Sequence, residues 1–253
     1  MRLLSVILFS ILAIANLLVF LLIGAGFNLF QFIICLIIVI VELVKYAGKK
    51  EIKYPKVIFV FLTLISALLV LWVSSFGFGF GKMGIYGLKL KYADFYGYTT
   101  DHFPKTVPQG ARLKDMGMLP TIMQGSGNVH ATFSADDQTV RTLEQKVSDN
   151  SIMSFTLKQY LDEEIPKEYV DKAQKIFDTK YSSLKGTDAV IKVDYSKIIN
   201  DYKNRYNQGG TISQNDLNNV TIYIIDSNFY WNHLRTNSVV VDHNEGLIEY
   251  TGD

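Results

Sequence analysis

The segment "NNVTIYIID" at residues 218–226 is rich in β-branched and aromatic residues, and two further segments of this kind follow it. They are "NSVVVD" at residues 237–242 and "GLIEYTG" at residues 246–252. Short segments of this composition, bounded by polar residues and glycine, are typical of β-strands. The polar run His243–Gly246 predicts a hairpin turn between the last two strands. The end of the chain is therefore predicted to form an antiparallel sheet.

Upstream of this region the pattern alternates between strand and helix. A turn at residues 108–110 leads into a predicted strand that stops at Pro120, and "GSGNVHATFS" at residues 125–134 predicts a second strand. Ser134 precedes two aspartates and predicts a helix start, since its hydroxyl can accept a backbone N–H three residues on. A buried stripe of that helix is predicted at Val140, Leu143 and Val147. Residues 82–253 are thus predicted to be a small α+β domain, an antiparallel sheet with helices on one face.

The first third of the chain has a different composition. Residues 1–81 hold three long apolar runs, which predict helices at about 3–23, 28–46 and 57–80. A bilayer core of about 30 Å requires about 20 apolar residues in a helix. The sequence therefore predicts a membrane domain of three transmembrane α-helices over residues 1–81. Two alternatives are buried helices of a soluble protein and a cleaved signal peptide ending near Gly24–Gly26.

Charge predicts how these helices would be oriented. Residues 1–81 carry six positive charges, five of them lysines of the loop "VKYAGKKEIKYPK" at residues 44–56, whereas residues 82–253 have a net charge of −3. Short loops rich in lysine stay on the cytoplasmic side. This predicts a multi-pass plasma-membrane protein with a cytoplasmic amino terminus and an extracytoplasmic carboxy-terminal domain. Its predicted partners are the lipid bilayer and a further membrane or envelope protein.

The polar residues give little support to catalysis or metal binding. The four histidines His102, His130, His233 and His243 do not have the spacing of a zinc pair on a helix, and the single cysteine, Cys35, lies in the second apolar run. We predict no catalytic residue, no cofactor and no metal. The mild acidity of residues 82–253 argues against a nucleic-acid partner.

One aromatic segment favours a binding surface. "NFYWNHLRTN" at residues 228–237 brings together four residues of types that often anchor interfaces: Tyr230, Trp231, His233 and Arg235. We predict these four as candidate binding residues. A packing role for Trp231 in the core is the alternative.

Two segments, 101–134 and 230–250, resemble a group of uncharacterised Gram-positive bacterial membrane proteins with an extracytoplasmic α+β domain. The residues that match its motifs are Phe103, Pro104, Pro108, Ala111, Pro120, Gln124, Gly125, Asn232 and His233. The strand before Pro120 departs from the aromatic pattern of the group. The resemblance implies a fold and a placement outside the cell, without a transferable activity.

These observations predict a membrane-anchored extracytoplasmic binding, sensing or regulatory protein without catalytic activity. One alternative is an envelope hydrolase that uses Asp101 with His102, or His130 with carboxylates. Another is an accessory subunit of a membrane transport or secretion complex.

Overall fold

A computed structural model gives the arrangement of the chain over residues 2–23, 26–47, 84–119, 127–162, 164–165, 167–180, 193, 196–207, 212–230 and 233–252. The chain divides into two compact units, the first formed by Met1–Tyr92 with Met118–Gly125, and the second by Ala93–Gly117 with Ser126–Asp253.

Helices α1 (Arg2–Ile23) and α2 (Gly26–Ala47) belong to the first unit. They pack against each other through Phe9, Ala13 and Cys35, and Asn28 Nδ2 donates to Asn16 Oδ1 at 2.8 Å in the buried interface. Many of their other side chains are apolar and exposed, Ile11 and Ile14 among them.

The structure corrects the prediction of a membrane protein. Within the part of the chain that the structure describes, no helix has the length and apolar character that crossing a membrane requires. This finding contradicts the predicted three-helix membrane domain and the multi-pass plasma-membrane localisation. The third predicted helix, at 57–80, lies outside the described residues.

The predicted antiparallel sheet is confirmed. Six strands form one sheet in the order β1-β2-β6-β5-β4-β3, and four of its ladders have a described antiparallel register. The strands are β1 (Ala111–Leu119), β2 (Asn128–Ala135), β3 (Met153–Thr156), β4 (Val220–Tyr230), β5 (His233–Asp242) and β6 (Leu247–Gly252). The other helices are α3 (Tyr86–Phe95), α4 (Asp137–Asn150), α5 (Leu157–Leu161), α6 (Lys167–Lys180), α7 (Lys197–Asn207) and α8 (Gln214–Asn218).

Helices cover both faces of this sheet, so the predicted arrangement with helices on one face is wrong. Ile222 and Val240 pair across β4 and β5 and belong to a buried cluster with Leu157, Ile199 and Leu217 of α5, α7 and α8. We call this side the core face. Side chains alternate along a strand, so Tyr223 points to the opposite side, where its hydroxyl donates to Glu144 of α4 at 2.8 Å. We call that side the groove face.

Helix α4 begins two residues later than predicted. Asp136, and not Ser134, is its N-cap, and the Asp136 carboxylate accepts the Thr139 N–H at 2.8 Å. Ser134 instead remains in β2, paired with Leu247 of β6. The predicted stripe is confirmed at Val140 and Val147, which are buried, while Leu143 is half-buried.

Two buried carboxylates hold the core face together. Glu249 of β6 is fully buried and accepts hydrogen bonds from the Ser196 hydroxyl at 2.7 Å and from the Lys197 and Ile198 backbone N–H groups at 2.9 Å each. It therefore caps the amino terminus of α7, where negative charge is favourable. Asp242 accepts the Asn244 backbone N–H at 2.9 Å and the Tyr202 hydroxyl at 3.2 Å. Burial raises the pKa of the Asp242 carboxyl.

Candidate functional site

A groove of about 1180 Å³ lies on the groove face of the sheet, within the second unit. Its walls are the loop of residues 101–110 and helix α4, and its base includes residues of β4, β5 and β6. The residues that line it are Asp101, His102, Phe103, Pro104, Lys105, Thr106, Pro108, Gln109, Gly110, Gln138, Thr139, Thr142, Leu143, Lys146, Val147, Asn150, Ile225, Val239 and Tyr250.

The loop wall is fixed to the sheet by an aromatic cluster. Phe103 is 2% exposed, and its ring lies 5.7 Å from that of Tyr250 and 4.7 Å from that of His102. The loop comes so close to β6 that a Cβ on Gly252 would lie 2.1 Å from the carbonyl oxygen of Thr99. Only glycine leaves room for this approach, so Gly252 sets the position of the loop.

His102 is neutral at the base of this loop. Its Nε2 lies 2.9 Å from the carbonyl oxygen of Thr251, which only accepts, so Nε2 carries the proton and donates. Burial lowers the pKa of His102 to about 4. At neutral pH the other ring nitrogen, Nδ1, therefore holds a lone pair. Asp101 does not orient this ring, since its side chain is 97% exposed and lies 3.6 Å from Lys105.

Tyr250 is the polar group that most clearly points to a ligand. It is 3% exposed and lines the groove, yet no hydrogen bond to its hydroxyl is found among the described residues. The hydroxyl is also not one of the fully buried polar atoms that lack a partner, so it keeps some exposure in a residue that lines the groove. Burial raises the pKa of Tyr250 to about 12, and the hydroxyl is therefore a protonated donor at neutral pH.

The rest of the base is aliphatic. The register of β4 and β5 shifts between Ile224 and Asp226, and such a bulge re-aims the side chain at that point. The side chain there is Ile225, which lines the groove together with Val239 of β5 and Leu143 of α4.

The four candidate binding residues predicted from the sequence lie at the junction of β4 and β5. Tyr230 ends β4 and pairs with His233, the first residue of β5, while Arg235 pairs with Asn228. The structure thus brings the backbones of three of them together in one ladder. Trp231 and the side chains of Tyr230, His233 and Arg235 lie outside what the structure describes, so this binding surface stays a prediction.

His130, one of the predicted catalytic alternatives, is held in a structural cluster. Its Nε2 lies 3.2 Å from Asp115 Oδ2, and the same oxygen accepts from Lys197 Nζ. Burial alone would raise the pKa of Asp115, but hydrogen bonds from Lys197 and His130 lower it below its ordinary value. The ring also lies against β1, where a Cβ on Gly117 would come within 2.5 Å of it.

His243 ties the β5–β6 hairpin to α4. Its Nε2 lies 2.9 Å from Glu144 Oε2, and Glu144 Oε1 accepts from the Tyr223 hydroxyl. The sequence predicts only a polar turn at this hairpin tip and carries no signal for the contact. Among the described residues, no group of three or more His, Cys, Asp or Glu side chains is placed to hold a metal ion.

The groove has no recognisable signal in the sequence. Tyr250 falls in a predicted strand, and a tyrosine in a strand is an ordinary core residue, so nothing marks its hydroxyl as unpaired. Of the residues that line the groove, only Asp101 and His102 are candidates for chemistry by sequence, and the structure does not bring them together as a pair.

Comparison with known proteins found no matching family model, curated protein or solved structure. The resemblance to Gram-positive membrane proteins therefore stays a prediction.

Proposed function

We propose that this chain is a non-catalytic binding protein and that the groove between the loop 101–110 and α4 is its ligand site. The observation that carries the proposal is the Tyr250 hydroxyl, which belongs to a nearly buried residue that lines the groove and lacks a hydrogen-bond partner among the described residues. A tyrosine hydroxyl that has no acceptor within the protein is available to donate to a ligand. A ligand atom in the groove would supply the missing acceptor.

The arrangement supports binding better than hydrolysis. A general base needs a pKa near the working pH, whereas burial holds the pKa of His102 at about 4. Its Nε2 proton is also committed to the Thr251 carbonyl, and the Asp101 carboxylate that would orient the ring is exposed. The geometry also argues against hydrolysis at His130, because its carboxylate partner Asp115 already forms an ion pair with Lys197.

Disulfide trapping of small fragments tests the site with a library in place of a chosen ligand. The chain has one cysteine, Cys35, which is buried, so a new thiol would be the reactive one. Thr142→Cys places a thiol in the groove, and Gln145→Cys places one on an exposed part of the same helix that does not line it. A library of disulfide-bearing fragments is incubated with each full-length variant under partly reducing conditions, and capture is read by intact mass.

We expect a set of fragments that Thr142→Cys retains and Gln145→Cys does not. Adding Tyr250→Phe to the Thr142→Cys chain should reduce the capture of fragments that carry a carbonyl. This change is suitable because it removes a hydroxyl without a described partner, so folding should be unaffected. Equal capture profiles at the two positions would refute the groove as a ligand site.

A further inference from the structure

We infer that the groove binds an extended peptide segment of a partner protein, one that carries an aliphatic side chain beside an acidic residue. This inference rests on the proposed binding function and adds the chemical class of the ligand. Three features of the groove support it: a donor and an acceptor in its lining, an aliphatic surface between its walls, and unbalanced positive charge on its rim.

The donor and the acceptor match a peptide group. The Tyr250 hydroxyl offers a hydrogen, and Nδ1 of His102 offers a lone pair because Nε2 holds the ring proton. The two rings lie 6.4 Å apart, centroid to centroid. Each peptide residue presents one C=O acceptor and one N–H donor, so a short stretch of backbone can satisfy both groups.

The aliphatic base favours a peptide over a saccharide. Ile225 and Leu143, both half-buried, offer a surface for an aliphatic side chain. A sugar ring packs best on an exposed flat aromatic face, but Phe103 and Tyr250 are only 2% and 3% exposed. The volume of about 1180 Å³ is also above the range of about 300–1,000 Å³ usual for small-molecule pockets.

The rim charge favours an acidic residue next to that side chain. Lys146 is exposed on α4, and no ion pair to it is found among the described residues. Lys105 lies 3.6 Å from Asp101, but both side chains are exposed, so this ion pair is weak. The three groups together leave one net positive charge at the mouth of the groove.

Selection from a display library of linear twelve-residue peptides on the immobilised full-length chain tests this inference. We expect enriched peptides that share an aliphatic residue near Asp or Glu. For resynthesised peptides, Tyr250→Phe should weaken binding by about three- to tenfold through the lost hydrogen bond. Lys146→Gln should weaken it by about two- to fivefold.

Lys114→Gln is the matched control, since Lys114 is an exposed lysine of β1 that does not line the groove, and it should leave affinity unchanged. The inference is overturned if no peptide is enriched, if both groove variants bind like the control, or if cellohexaose or chitohexaose binds at the Tyr250-dependent site while peptides do not. If one of these outcomes occurs but Thr142→Cys still captures fragments, the groove remains the proposed ligand site, and only the inference that its ligand is a peptide is rejected.

Discussion

Glu249→Gln should destabilise the second unit strongly, because the buried carboxylate satisfies three donors at the start of α7. Oε2 accepts the Ser196 hydroxyl at 2.7 Å and the Ile198 N–H at 2.9 Å, and Oε1 accepts the Lys197 N–H at 2.9 Å. Glutamine keeps the shape but has only one acceptor oxygen. Even in its better orientation, its NH₂ group faces the Lys197 N–H, and two donors are then opposed.

Two contributions make up the expected loss of stability. A buried donor left without an acceptor costs about 1–3 kcal/mol. Removing the negative charge from the amino terminus of α7 costs about 0.3–1 kcal/mol more. Glu249→Gln should therefore lower the free energy of unfolding by about 1–4 kcal/mol.

Urea unfolding followed by circular dichroism measures this loss, and hydrogen exchange of the α7 amides shows whether the helix start opens first. Glu245→Gln, at the exposed hairpin tip of the same β5–β6 connection, is the matched control, with an expected change of less than about 0.5 kcal/mol. Equal stability of the two variants, or α7 amides that exchange as they do in the unmodified chain, would contradict this role of Glu249.

Two further predictions concern the loop wall of the groove. In the folded chain the pKa of His102 is about 4, below its ordinary value of 6.5. Because the unfolded chain therefore binds a proton at this ring at a higher pH than the folded chain does, acid favours unfolding. The free energy of unfolding should fall by up to about 3 kcal/mol as the pH drops from about 6.5 to 4. An NMR titration in which the His102 ring titrates near pH 6.5 would contradict this. Gly252→Ala should lower the free energy of unfolding, measured by thermal unfolding, by about 2–3 kcal/mol, the upper part of the range for overpacking, because its Cβ would overlap the Thr99 carbonyl. Gly97→Ala is the matched control, because Gly97 has φ +84° but open space around it. Its loss of unfolding free energy should be about 1 kcal/mol. An equal loss at both positions would show that the Cβ of residue 252 meets no steric overlap.

The strands were predictable because their signal is local. Val239, Val240 and Val241 of β5 are all fully buried, and a run of β-branched residues indicates a strand covered on both sides. Pro120 correctly marked the end of β1, which stops at Leu119. The polar run after Asp242 correctly placed the hairpin, since the ladder of β5 and β6 closes at Asp242 and Leu247.

The predictions that were wrong concern features set by tertiary contacts, which a sequence does not display. Helix α4 carries the same kind of apolar stripe whichever face of the sheet it covers, so its position on the groove face could not be read from Val140 and Val147. Ser134 and Asp136 are both good N-caps, and the choice between them follows from how far β2 pairs with β6. The membrane prediction rested on run length and composition alone.

The site was unpredictable for a related reason, which the pair Glu249–Tyr250 makes plain. Adjacent residues of a strand point to opposite faces, so Glu249 enters the core face and caps α7, while Tyr250 enters the groove face and leaves its hydroxyl open. In the sequence both are polar residues of one short strand, and their roles differ only in what packs against each face. Because the two faces carry separate contacts, loss of the Glu249 cap should reduce stability without changing which fragments the groove retains under folding conditions. Loss of the Tyr250 hydroxyl should change which fragments the groove retains without reducing stability.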